Sequence, residues 1–275
     1  MNTSDIIALQ LNVDWINIKS MKYFFTIASY SDHRQDIFDN VFSPRNQKYC
    51  DKHGYKYIEI RKEHNPTPFR GNLTWNKIST IKDLIDSGKL PDGSIITNFD
   101  ADMIILDDSI PIEPDENHSF AVAIDSGNTF CFGWTSFRIN EWSRGLINNI
   151  LSDELWNKWK NIATPHPGIP SRPPYPHILE FREQAAFYLL FGIKRHSWES
   201  FLTLPNNGIN ADMTYSAQYS VEDFNKHVQL FGPEYNCTIW PDESDTTFYI
   251  NKCKKEDVKI RHLTGCDWNM YKNWI

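Results

Sequence analysis

The 275 residues, 40% hydrophobic and 14% aromatic, carry enough apolar surface for a sizeable core and exclude a disordered chain. A formal net charge of -7 disfavours extensive duplex-DNA binding without excluding a local basic groove. The longest basic cluster, Lys252-Cys253-Lys254-Lys255, is short and abuts Glu256 and Asp257. Cys50, Cys131, Cys237, Cys253 and Cys266 include no CxxC pair, which fits neither a zinc site nor a disulfide framework and makes a reducing compartment the expectation. No window reaches the roughly 18 apolar residues of a membrane span, and residues 1–20 hold no secretory h-region. The chain therefore reads as soluble and cytoplasmic, with no membrane partner, and the Asn-x-Ser/Thr triplets at Asn2, Asn72, Asn117 and Asn236 read as uninformative.

Residues 1–20 read as a short extension and 21–275 as one domain. Met21–Ser29, rich in aromatic and β-branched residues, predicts a buried first strand. A polar turn, Tyr30-Ser31-Asp32, ends it. A helix follows over Asp36–His53, broken and restarted at Pro44, with Gly54 as its C-cap. Tyr55–Ile60 alternates as a strand. This βαβ opening places successive strands parallel and ligands at their C-terminal ends. Trp75–Ser87 forms a helix with Trp75, Ile78, Ile81 and Leu84 on one face, stopped by Gly88 and Pro91. The next strand, Ser94–Phe99, runs directly into Asp100-Ala101-Asp102, and the apolar run Met103–Leu106 comes after. Strands near Ser119–Ile124 and Asn128–Ile139, a helix over Glu141–Trp159, a proline-rich loop over 162–177 and a helix over Phe181–Gly192 complete the middle. Shorter strands and loops follow, with a last strand-like run at Val258–Leu263. The whole predicts an α/β fold of Rossmann-like type, a central and mostly parallel sheet flanked by helices.

The chemistry concentrates in Asp100-Ala101-Asp102. Two carboxylates two residues apart, where a strand leaves the sheet, can share one hard divalent cation such as Mn²⁺ or Mg²⁺. The apolar flanks on both sides set them beside the core. Such a cation bridges a diphosphate and neutralises it as a leaving group. A further ligand is needed, and His262 offers imidazole at the end of a strand, with Gly265 allowing a phosphate to approach the backbone.

Five segments occur in the order seen in retaining glycosyltransferases of the GT-A fold: Trp75-Asn76-Lys77-Ile78, Asn98-Phe99-Asp100-Ala101-Asp102, Asn128-Thr129-Phe130-Cys131-Phe132-Gly133, Glu183-Gln184-Ala185-Ala186 and His262-Leu263-Thr264-Gly265-Cys266. Together with Tyr49-Cys50-Asp51-Lys52-His53-Gly54-Tyr55, the set resembles the α-galactosyltransferase and xyloglucan α-xylosyltransferase family over about Tyr23 to Cys266. The resemblance implies an enzyme using Mn²⁺ and a UDP-sugar with retention of anomeric configuration. By carry-over Asp100, Asp102 and His262 are the metal ligands. Tyr30, Lys77, Asp100, Asn128, Gly265 and Lys272 are the candidates for the donor, Glu183 and Gln184 those at the reacting face, and Glu183 or Asp125 the candidate base if configuration is inverted. Where the family has a Lys three residues after the glycine, this chain has Trp268, with Lys272 the nearest substitute. The family's membrane anchor has no counterpart here, so the expected acceptor is a cytoplasmic glycan, a small molecule, a protein or a modified nucleobase in DNA. A metal-dependent nucleotidyltransferase or phosphatase using the same carboxylates stands as the alternative.

Overall fold

The structure is a computed structural model and describes residues 21–28, 32–61, 73–124, 130–162, 183–191, 218–238, 255–263 and 267–273. The first strand, β1 (Lys22–Ala28), is buried along nearly its whole length, which suits its continuous run of Tyr, Phe, Thr and Ile. The chain then winds through α1 (His33–Ile37), a π-helical turn (Phe38–Phe42) and α2 (Ser43–His53). This differs from the expected helix, which began at Asp36 and broke at Pro44. Asp32 caps α1 through its side chain, moving the start earlier. Pro44 lies in the first turn of α2, where its missing N–H costs nothing, so winding continues through it. Gly54 ends α2 with φ 72, a left-handed conformation that a side chain disfavours.

β2 (Lys56–Arg61) follows, then α3 (Asn76–Asp86), β3 (Ile95–Phe99), the short β4 (Met103–Ile105), β5 (Phe120–Ile124) and β6 (Phe130–Arg138). Instead of one helix over Glu141–Trp159 there are two, α4 (Glu141–Ile150) and α5 (Asp153–Ile162). Ser152 divides them: its Oγ accepts the Leu155 N–H at 3.2 Å and donates to the Asn149 carbonyl at 2.9 Å, so it closes one helix and caps the next. α6 (Glu183–Leu190), α7 (Val221–His227), β7 (Val228–Phe231) and β8 (Ile260–His262) complete the described elements. The expected extension at 1–20, and all but the first residue of the expected loop at 162–177, lie outside the described residues.

The main sheet has the order β2-β1-β3-β6-β5-β7. β1 pairs in parallel with β2 and β3, and β5 with β7, while β6 runs antiparallel to both β3 and β5. Five strands therefore point one way and β6 alone opposes them, the mostly parallel sheet that the sequence predicts. α3, α4, α6 and α7 cover one face through Trp75, Ile78, Ile81, Leu146, Phe187 and Phe224. The other face packs on α2 and on a separate two-stranded sheet, β4 with β8, through Phe24, Tyr49, Phe99, Met103, Trp134 and Ile260. No described helix is long and apolar enough to cross a membrane.

Candidate metal centre

β3 ends at Phe99, and the chain turns through Asp100-Ala101-Asp102 into β4. The Asp100 N–H donates to the Gly133 carbonyl at 2.7 Å and the Met103 N–H to the Asp100 carbonyl at 3.2 Å, which holds the turn against β6. β4 pairs antiparallel with β8 so that Met103 faces His262, and the Leu263 N–H donates to the Asp102 carbonyl at 2.8 Å. This ladder sets His262 beside Asp102, with Nε2 and Oδ1 3.2 Å apart. Asp100, Asp102 and His262 each present one ligand atom within 4.8 Å of the others. Two half-buried carboxylates and a buried imidazole form a donor set that could hold one divalent cation.

His262 reaches this position because β6 has a glycine there. A Cβ on Gly133 would fall 2.7 Å from His262 Cε1, 2.8 Å from Nδ1 and 3.0 Å from Met103 Sδ. The β5–β6 register also shifts nearby: Val122 faces Thr135 but Ala123 faces Cys131. The resulting bulge turns the Phe132 peptide groups toward the site. The Phe132 carbonyl accepts from Lys77 Nζ at 2.8 Å, and its N–H donates to Gln184 Oε1 at 3.1 Å.

Lys77, in the first turn of α3, is buried among carboxylates. Its Nζ lies 2.9 Å from Asp100 Oδ1, 3.1 Å from Oδ2 and 3.4 Å from Glu183 Oε1. Glu183 opens α6 with its side chain only 4% exposed, and its second oxygen, Oε2, is buried with no hydrogen-bond partner among the described residues. An orphaned carboxylate oxygen beside a cation-ready cluster is costly unless something polar comes to it.

The charges are tightly linked. Burial, reinforced by Asp102, raises the Asp100 carboxyl to about 6 against the pull of Lys77. Burial also opposes the charged form of Asp102, but the His262 imidazole outweighs it and lowers that carboxyl. For His262 itself, burial disfavours the imidazolium, yet the Asp102 carboxylate more than offsets this and holds its pKa well above the ordinary value. Burial likewise works against the Lys77 ammonium, and Asp100 and Glu183 together raise it.

Of the residues singled out from the sequence, the structure brings Lys77, Asp100, Asp102, Glu183 and His262 into one cluster. Gln184 is linked to it through the Phe132 backbone. Lys272 is exposed on the turn Trp268–Asn273, its Nζ 5.8 Å from the Tyr271 ring centroid. That turn borders the acidic one, because Trp268 packs in the same apolar group as Phe42 and Ala101. Trp268, 4% exposed and 5.4 Å from the Phe42 ring, fills core space where the family pattern has a cation. Tyr30, Asp125, Asn128 and Gly265 lie outside the described residues. Sequence reasoning did not single out Asn236 for the site, although its Oδ1 sits 3.0 Å from His262 Nδ1; its Asn-Cys-Thr triplet gives no sign of that contact.

No protein-family model matches the chain, and no curated protein matches it. Among solved structures the chain is similar to a glycosyltransferase involved in the glycosylation of the major capsid of PBCV-1, at 12% identity, over 91% of this chain and 97% of that one, with a TM-score of 0.49. It is also similar to the catalytic domain of Drosophila β1,4-galactosyltransferase 7 in complex with xylobiose, at 14% identity, over 47% of this chain and 52% of that one, with a TM-score of 0.33.

Proposed function

We propose that the protein is a metal-dependent glycosyltransferase of GT-A type that moves a hexose or pentose from a UDP-sugar to an acceptor hydroxyl with retention. The observation that carries this reading is the convergence of Asp100, Asp102 and His262 at the C-terminal edge of a mostly parallel sheet, with Lys77 and Glu183 packed against them. In such sheets ligands bind beyond the strand C-termini. A bound Mn²⁺ or Mg²⁺ supplies charge neutralisation to the departing diphosphate.

The chain's own residues do the rest. Lys77 holds Asp100 in place and adds positive charge beside the diphosphate. Glu183 Oε2, buried and without a partner among the described residues, points to a polar group of the donor sugar as its natural occupant. In a front-face displacement the bond from the anomeric carbon to the diphosphate oxygen breaks and the acceptor oxygen bonds on the same face. The acceptor proton then passes to the leaving diphosphate oxygen, so the protein contributes positioning and electrostatics. In this reading Lys272, an exposed cation on the bordering turn, supplies the charge that the family pattern puts at Trp268; its exposure supports the role.

The test is donor turnover. With Mn²⁺ present, the full chain is expected to release UDP from one of UDP-glucose, UDP-galactose, UDP-xylose or UDP-N-acetylglucosamine. Asp102→Asn is expected to lose at least about 100-fold of that rate, as removal of a key electrostatic contact does. Failure of all four donors to bind or turn over sinks the glycosyltransferase reading. Release of phosphate or pyrophosphate instead of UDP turns it toward the phosphatase or nucleotidyltransferase class. A product of inverted configuration by NMR overturns retention alone.

A further inference from the structure

We infer that Asn236 is a positioning residue that fixes which nitrogen of His262 faces the cation, an inference resting on the reading of Asp100, Asp102 and His262 as metal ligands. An imidazole can ligate through a ring nitrogen only if that nitrogen carries a lone pair, and the partner of the other nitrogen decides this. On one side, His262 Nε2 faces Asp102 Oδ1 at 3.2 Å. On the other, Nδ1 lies 3.0 Å from Asn236 Oδ1. Cys131 Sγ also approaches Nδ1, at the longer distance of 3.6 Å.

An amide oxygen can only accept, so the Asn236 Oδ1 contact assigns the ring proton to Nδ1 and leaves the lone pair on Nε2, the nitrogen beside Asp102. The reverse amide orientation would aim Nδ2 at Nδ1, push the ring proton onto Nε2 and leave nothing to coordinate.

The chain around Asn236 is pinned for this contact. The Asn236 N–H donates to the Pro233 carbonyl at 3.2 Å, and Trp134 Nε1 donates to the Tyr235 carbonyl at 2.9 Å. Immediately after it, the Cys237 N–H donates to the Ile260 carbonyl and the His262 N–H to the Cys237 carbonyl, each at 3.0 Å. Asn236 is fully buried, and its Nδ2 finds no hydrogen-bond partner among the described residues. An apolar side chain of the same shape would fill the space without leaving a donor unmade. What such a side chain lacks is the oxygen that Nδ1 uses.

The experiment compares Asn236→Leu, Asn236→Asp and Cys131→Ala in the full chain, each checked for a wild-type circular-dichroism spectrum. Mn²⁺ binding is read by isothermal titration, and the His262 tautomer by ¹⁵N–¹H correlation spectra of histidine-labelled protein loaded with diamagnetic Mg²⁺. Asn236→Leu is expected to lose about 10- to 100-fold in Mn²⁺ affinity, as second-sphere partners of metal-bound histidines do, with the Nδ1–H signal lost. Asn236→Asp, which keeps the acceptor, and Cys131→Ala are expected to stay within about threefold of wild type. Wild-type Mn²⁺ affinity and an unchanged Nδ1–H signal in a folded Asn236→Leu overturn the inference alone. If Asn236→Leu does not fold, the decision passes to Asn236→Asp, whose failure to bind Mn²⁺ while folded overturns it. A wild-type chain that binds no Mn²⁺ overturns the metal centre itself, and this inference with it.

Discussion

At the scale of single residues, Gly133 matters for the room it leaves. A methyl group there would meet His262 Cε1 at 2.7 Å and Nδ1 at 2.8 Å, and neither the ring nor the β6 backbone has slack to give. Gly133→Ala is therefore expected to tilt His262 away from Asp102, weakening Mn²⁺ binding about 10-fold or more. Overpacking should also lower stability by about 1–3 kcal/mol. Titration calorimetry and urea unfolding measure the two effects separately, and unchanged Mn²⁺ affinity would mean that the close approach does not govern the ligand. Lys77 illustrates the opposite logic. Its ammonium is buried because Asp100, Glu183 and the Phe132 carbonyl together replace the water it gives up, so it keeps three polar groups of different elements in register.

At the scale of elements, the small β4–β8 sheet is fastened at its end by Asp107 and Lys259. The Leu106 and Asp107 N–H groups both donate to the Lys259 carbonyl, and Lys259 Nζ lies 2.5 Å from Asp107 Oδ2. The hydrogen bond from Lys259, helped by Ser109, lowers the Asp107 carboxyl to about 2. A carboxyl depressed in the folded state stabilises above its unfolded value, about 3.9 for Asp, and loses that contribution as pH falls toward 2. Asp107→Asn is therefore expected to lower the urea midpoint slightly at pH 7, with the gap from wild type closing as pH falls from about 4 to about 2. Both side chains are about a third exposed, so the effect is small. A gap that persists at pH 2 would assign it to packing.

Elements also show what the sequence made legible. β1, β2 and β3 announce themselves because buried parallel strands need unbroken apolar runs, and the turn after β3 is visible as Asp100-Ala101-Asp102. The division of α4 from α5 was hidden, because the run Glu141–Trp159 is amphipathic throughout and only the Ser152 hydrogen bonds interrupt it. The same holds in the site. His262 stands out by type and by the nearby Gly265, whereas the Asn-Cys-Thr triplet at Asn236 says nothing of a ring contact. Its role arises from Cys237 joining β8, a pairing between distant segments that no local spacing encodes.

At the scale of the molecule, the two faces of the sheet carry different burdens. One is an aromatic core with Phe187 at its hub, its ring centroid 5.3 Å from both Phe120 and Phe132, 5.8 Å from Phe130 and 4.7 Å from Phe191. Phe187→Ala is expected to cost about 3–5 kcal/mol in urea unfolding. Because Phe187 anchors the helix that carries Glu183, and not the β4–β8 ladder, donor turnover should fall further than Mn²⁺ affinity. Equal losses in both would show that the two faces are not separable. The other face carries the β4–β8 sheet that delivers His262 to the candidate site, and there the pairing of Met103 with His262 has a consequence in time. More than half of the chain separates these partners, so on the ribosome the acidic turn emerges and can fold against β3 well before its imidazole exists. If the cluster holds a cation as proposed, firm capture would wait until β8 is synthesised, and a polypeptide interrupted before it would carry the carboxylates without the imidazole.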